Sequence, residues 1–120
     1  MAASVIVLSK NPSIYSPLRA FLESSDIDMV NAENLGQLID DPQFLLFNPL
    51  LLIDLDDFSL SDVKKAVEMA QKQHMPFYFL AENLSKEMMD DVRVLKPSGY
   101  FAKPLDSDMV IMNIEQEIYN

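Results

Sequence analysis

The chain has 120 residues, 49% of them hydrophobic, which suits one domain able to bury most of its apolar surface without cross-links. It has no cysteine, so disulfides, thiolate metal sites and cysteine nucleophiles are excluded. Nineteen acidic and nine basic residues give a formal charge of −10, and the basic ones are scattered apart from Lys64-Lys65, so direct nucleic-acid binding by this domain is not expected.

Met1-Ala2-Ala3-Ser4 lacks the basic segment and long apolar core of a signal peptide, and no apolar run is long enough to span a bilayer. A cytoplasmic location without membrane attachment is the expectation. Val5-Ile6-Val7-Leu8 is a compact β-branched run and predicts a first buried strand. Asn11-Pro12-Ser13 offers helix-start chemistry, Leu18, Phe21 and Leu22 follow at helical spacing, and Ser24-Ser25-Asp26 closes the helix. Ile27 to Val30 predicts a weaker second strand, and Leu35 to Ile39 a short second helix ending around Asp40-Asp41-Pro42.

The most apolar stretch, Pro49-Leu50-Leu51-Leu52-Ile53-Asp54, predicts a third strand buried on both faces, as in parallel sheets. Leu60, Val63, Val67 and Met69-Ala70 predict a third helix capped by Ser59 or Ser61. Pro76 to Ala81 is a fourth strand, and Met88, Met89, Val92 and Leu95 mark a fourth helix. Tyr100-Phe101-Ala102 is a short fifth strand, and Val110, Ile111, Ile114 and Ile118 carry a final helix. Five strand–helix units with right-handed crossovers give a flavodoxin-like, doubly wound α/β fold over residues 1–120, with a five-stranded parallel sheet.

In such a fold the loops after strands one, three, four and five converge at the carboxyl ends of the strands. They carry Ser9-Lys10-Asn11, Asp54-Leu55-Asp56-Asp57, Ala81-Glu82-Asn83 and Lys103-Pro104. This set, in this order, resembles the receiver domain of two-component response regulators over essentially the whole chain. Asp54 in "LLIDLDDF" matches the family's phosphoacceptor, and Lys103-Pro104 in "YFAKP" matches its Lys-Pro pair, whose turn is often cis. Tyr100, three residues before that lysine, matches a switch aromatic.

The resemblance also has gaps, and it therefore implies an atypical, degenerate receiver. The acidic pair that holds Mg²⁺ in the family is replaced by Ser9 and Lys10. The hydroxyl residue ending strand four is replaced by Ala81, and Phe58 and Asp62 stand where a proline and a glycine are usual. Phosphoryl transfer to a carboxylate builds charge that a metal and a lysine must neutralise, and Ser9 is a poor ligand for a hard cation. The expectation is therefore that Lys10 and Lys103 both lie beside Asp54, forming an internal ion pair in place of a metal-dependent switch. Mg²⁺ is not expected; Asp54, Asp56 and Asp57 are its weak candidate ligands.

No catalytic set is expected. His74 is placed on the surface, and with Gly36 and Gly99 the only glycines there is no Gly-rich phosphate loop. Met88, Met89, Met109 and Met112 make helices four and five apolar over more than one stripe. Half of this is core filler; the surplus predicts an exposed contact patch. By resemblance, the face of helix four, strand five and helix five, with Tyr100, would contact a protein partner or a second copy. Two rival readings are a phospho-accepting receiver with unusual ligation by Asp54 and Asp56 or Asp57, and a flavodoxin-like cofactor binder using Ser9, Asn11 and Ser13.

Overall fold

The computed structural model describes residues 3–40, 49–82 and 85–119. Strands β1 (Ser4–Leu8), β2 (Asp28–Ala32), β3 (Leu50–Asp54), β4 (Phe77–Ala81) and β5 (Gly99–Ala102) alternate with helices α1 (Pro12–Glu23), α2 (Leu35–Asp40), α3 (Leu60–Lys72), α4 (Lys86–Arg93) and α5 (Ser107–Tyr119). The sheet is parallel throughout, in the order β2-β1-β3-β4-β5. The chain reverses its direction of winding between β1 and β3, so this is the expected doubly wound fold.

All five residues of β3 are buried, because it lies inside the sheet with helices on both faces. Alternate side chains feed two cores. Leu50 and Leu52 join Ile14, Leu18 and Leu22 of α1 and Val110 and Ile114 of α5. Leu51 and Ile53 join Leu38 of α2, Val63 and Val67 of α3 and Val92 of α4. Burying a leucine or isoleucine contributes about 1.5–3 kcal/mol, so this one strand anchors both helical layers.

Local chemistry sets the helix starts. The Asn11 side chain accepts from the Ser13 N–H at 3.0 Å, Ser59 from Asp62 at 3.2 Å and Ser85 from Met88 at 3.1 Å. Gly99 faces Tyr78 across the β4–β5 register, where an added Cβ would stand 3.0 Å from the ring. Glycine thereby lets the edge strand close on a buried tyrosine.

Two boundaries differ from expectation by two residues each. β2 runs to Ala32 because its register with β1 continues to the Leu8–Ala32 pair. α4 stops at Arg93, leaving Leu95 beyond it but still packed on the core. α2 runs to Asp40, within its expected end at Asp40-Asp41-Pro42; Asp41 and Pro42 lie outside the described residues.

Candidate functional site

The parallel register brings the ends of β1, β3, β4 and β5 to one rim of the sheet. Asp54 is the last residue of β3, and its side chain is 0% exposed. A carboxylate placed there needs donors, since burial of an unpaired charge is prohibitively costly. Three donors surround it. Lys103 Nζ lies 2.7 Å from Oδ1, the Asp56 backbone N–H donates to Oδ1 at 3.0 Å, and the Ser9 hydroxyl donates to Oδ2 at 2.8 Å.

Each donor is itself held. The Lys103 N–H donates to the Ala81 carbonyl at 2.9 Å, so the end of β4 fixes where the lysine starts. The Lys103-Pro104 peptide bond is cis. The ammonium also lies 2.9 Å from Asp56 Oδ2, and Asp56 in turn accepts from the Glu82 N–H at 2.8 Å. Burial works to lower the Lys103 pKa, but hydrogen bonds and attraction to Asp54 and Asp56 outweigh it and hold it above the ordinary value.

Ser9 is fully buried and is the hub of the other half. Its Oγ lies 2.8 Å from Asp54 and 3.0 Å from Asp57 Oδ2, and accepts from the Asn11 N–H at 3.1 Å. With one proton to give, the hydroxyl serves one carboxylate at a time. Asp57 also accepts from the Lys10 N–H at 2.7 Å. The Tyr15 hydroxyl donates to the Ser9 carbonyl, with the Ala32 carbonyl 3.2 Å away. Burial pushes the Tyr15 phenol up to about 12.

The structure thus brings Ser9, Asp54, Asp56, Asp57, Ala81 and Lys103 together, and corrects the expectation for Lys10. Its side chain is exposed, with Nζ 5.1 Å from the centroid of the Phe58 ring rather than beside Asp54. β1 ends at Leu8 and the chain bends at Lys10, which leaves Ser9 buried and the Lys10 side chain turned outward. Only its backbone N–H enters the cluster. Sequence reasoning also missed Tyr15, whose hydroxyl clamps the β1–α1 loop; a tyrosine on an amphipathic helix carries no signal of this. His74 is exposed at the opposite end of the sheet, where β4 begins.

Mg²⁺ does not fit these residues. The Lys103 ammonium bridges Asp54 and Asp56 and repels a dication, and Ser9 supplies only a neutral oxygen shared between Asp54 and Asp57. Among the described residues no three acidic or histidine side chains are disposed to hold a metal ion.

The face of α4, β5 and α5 is uneven. Met88 and Met89 are half-buried and pack on the core, whereas Tyr100, Met109 and Met112 are 41%, 51% and 56% exposed. The Tyr100 ring tilts against Phe79 of β4, with centroids 5.8 Å apart. Among the described residues no helix is long and apolar enough to cross a membrane.

No protein-family model matches the chain, and no curated protein does either. Solved structures do. The signal receiver domain of a modulated diguanylate cyclase from Desulfovibrio desulfuricans G20 superposes with a TM-score of 0.84 at 23% identity, covering 99% of this chain and 95% of that one. A response regulator from Thermotoga maritima gives 0.83 at 12% identity over 100% of both chains. Chemotaxis protein CheY4 of Vibrio cholerae gives 0.79 at 15%, over 97% of this chain and 98% of that one. The chain therefore has the fold of response-regulator receiver domains, and at these identities the likeness speaks for the fold alone.

Proposed function

We propose that this chain is an atypical receiver-type signalling module that works through protein–protein contacts, independently of aspartyl phosphorylation. The observation that carries this reading is the state of Asp54. A nucleophilic carboxylate needs a free oxygen facing the incoming phosphorus, and a counter-charge to receive the transferred group. Asp54 has no exposed side-chain surface, and its oxygens are engaged by Lys103, Ser9 and the Asp56 N–H. Ala81 adds no hydroxyl that could grip a phosphoryl group. The cluster acts as a fixed brace, and the module's output runs through the face that exposes Tyr100, Met109 and Met112.

The test is an amide NMR titration with Mg²⁺ and beryllofluoride, which mimics an aspartyl phosphate. The expected spectrum is unchanged around Asp54. Shifts centred on Asp54 and spreading to Tyr100 would overturn the reading and establish a phospho-accepting receiver with metal ligation by Asp54 and Asp56.

A further inference from the structure

On the flank of α5 away from β5, α1 and α5 leave a groove with a cavity of about 740 Å³. Half-buried Phe21 and Ile111 form its apolar floor, and exposed Met112 stands on its lip. Among the described residues the charged ones lining it are Asp108 and Glu115, both exposed, and none is basic. From Pro104 to Asn120 the sequence has Asp106, Asp108, Glu115 and Glu117 and no lysine or arginine. On α1, Arg19 is engaged 4.0 Å from Glu23.

We infer that this α1–α5 groove docks a cationic amphipathic segment of a partner protein, with apolar side chains on Phe21, Ile111 and Met112 and lysines or arginines facing Asp108 and Glu115. Charge decides the occupant. A second copy would bring another −10 to an acidic rim, and like charges across an interface are strongly disfavoured. An anionic lipid surface or nucleic acid is rejected on the same ground. A basic segment gains the opposite sign while an apolar stripe fills the floor, the arrangement by which amphipathic helices enter grooves. The volume is that of a site taking several side chains. The Ser24 hydroxyl is already donated to the Phe21 carbonyl at 2.7 Å, so it has no proton left to offer an occupant. The groove shares Met112 with the face that exposes Tyr100 and Met109 but is otherwise built from α1 and the α1-side flank of α5, so the inference goes beyond the proposed function and does not depend on the use of Asp54.

The experiment uses the full chain, isotope-labelled, and a synthetic peptide with leucines at helical spacing and lysines elsewhere, at physiological ionic strength. Shifts should cluster on Phe21, Ser25, Ile111 and Glu115. The double variant Asp108→Lys/Glu115→Lys should weaken binding by roughly tenfold, because two rim contacts become repulsive. The control Asp90→Lys/Asp91→Lys, on α4, should change it by less than about twofold. All four positions are exposed, so each variant's fold is checked by its own spectrum. A peptide with glutamates for the lysines should not bind. The inference is overturned if the lysine peptide gives no localised shifts, if its shifts centre on Tyr100 and Met109, or if the α4 control weakens binding as much as the groove variant.

Discussion

At the carboxyl end of the sheet, a hydroxyl links Asp54 to Asp57 and an ammonium links Asp54 to Asp56, so that both oxygens of Asp54 lie against donors from this chain. Along α5 the balance reverses. Met109 and Met112 stand more than half exposed, and the charged groups near them are acidic. Groups able to do chemistry are hydrogen-bonded to their neighbours, while groups able to adhere are turned outward. In the reading proposed above, the self-satisfied sheet end is a brace and the exposed helical flank is the surface that holds a partner. Substitutions in the two regions should therefore differ in kind: stability should respond at the sheet end, and binding along α5.

The largest expected effect is that of Lys103→Met. It removes the ammonium 2.7 Å from Asp54 and 2.9 Å from Asp56 and leaves a buried carboxylate without its counter-charge. Breaking one side of such a pair costs about 3–5 kcal/mol, readable as a lower midpoint in urea unfolding. A loss below about 1 kcal/mol, the level of an exposed pair, would mean that the cluster is not structural and would blur the contrast. Ser9→Ala comes next. It deletes the donor shared by Asp54 and Asp57 and the acceptor of the Asn11 N–H, at a cost of about 1–3 kcal/mol for buried groups left unsatisfied.

Alkali should loosen both regions through different tyrosines. Burial pushes Tyr15, at the sheet end, and Tyr78, whose hydroxyl donates to Glu117 of α5 at 3.2 Å, up to about 12 from an ordinary 10. A raised phenol pKa means that the folded chain holds its proton more tightly. The contribution is thus complete below pH 10 and is lost as the pH climbs from 10 towards 12. Lys103, raised above 10.5, acts in the same direction. Phenolate absorbance should show two late titrations, with Tyr15→Phe and Tyr78→Phe each deleting one. If either tyrosine titrates at 10 in the folded chain, its hydroxyl is not held as described.

The fold was legible because the β-branched and leucine-rich runs are separated by helical spacings, which leaves little freedom in element order. Asp54 was legible for the same reason: a charge ending an apolar run must lie at a strand end. Lys103 and Ser9 could be placed by which strands converge. Side-chain direction at the first residues past a strand was not legible, because it depends on whether the extended conformation continues by one residue. That is where Lys10 was misplaced. Asp57 was visible as an acid in a loop, but its role depends on the buried hydroxyl that turns towards it. Met88 and Met109 look alike in sequence, yet one packs on the α3-side core and the other faces solvent, a difference set by how each helix is rolled on the sheet.

Lys10→Ala gives the smallest effect and sharpens the comparison most. Lys10 and Lys103 flank the same carboxylate cluster, and simple charge counting would give them equal weight. Lys103 is 10% exposed and touches two carboxylates, whereas Lys10 is exposed and rests its ammonium 5.1 Å from the Phe58 ring centroid. An exposed cation–π contact is worth about 0.5–1 kcal/mol, and the Lys10 backbone N–H that reaches Asp57 survives the substitution. Lys10→Ala should therefore shift the urea midpoint only slightly, and by the same amount when Asp54 is also changed to Asn. A loss as large as that of Lys103→Met, or one that vanishes in the Asp54→Asn background, would show that Lys10 reaches the carboxylate after all. The two lysines would then share the counter-charge, and the brace at the sheet end would be built from both.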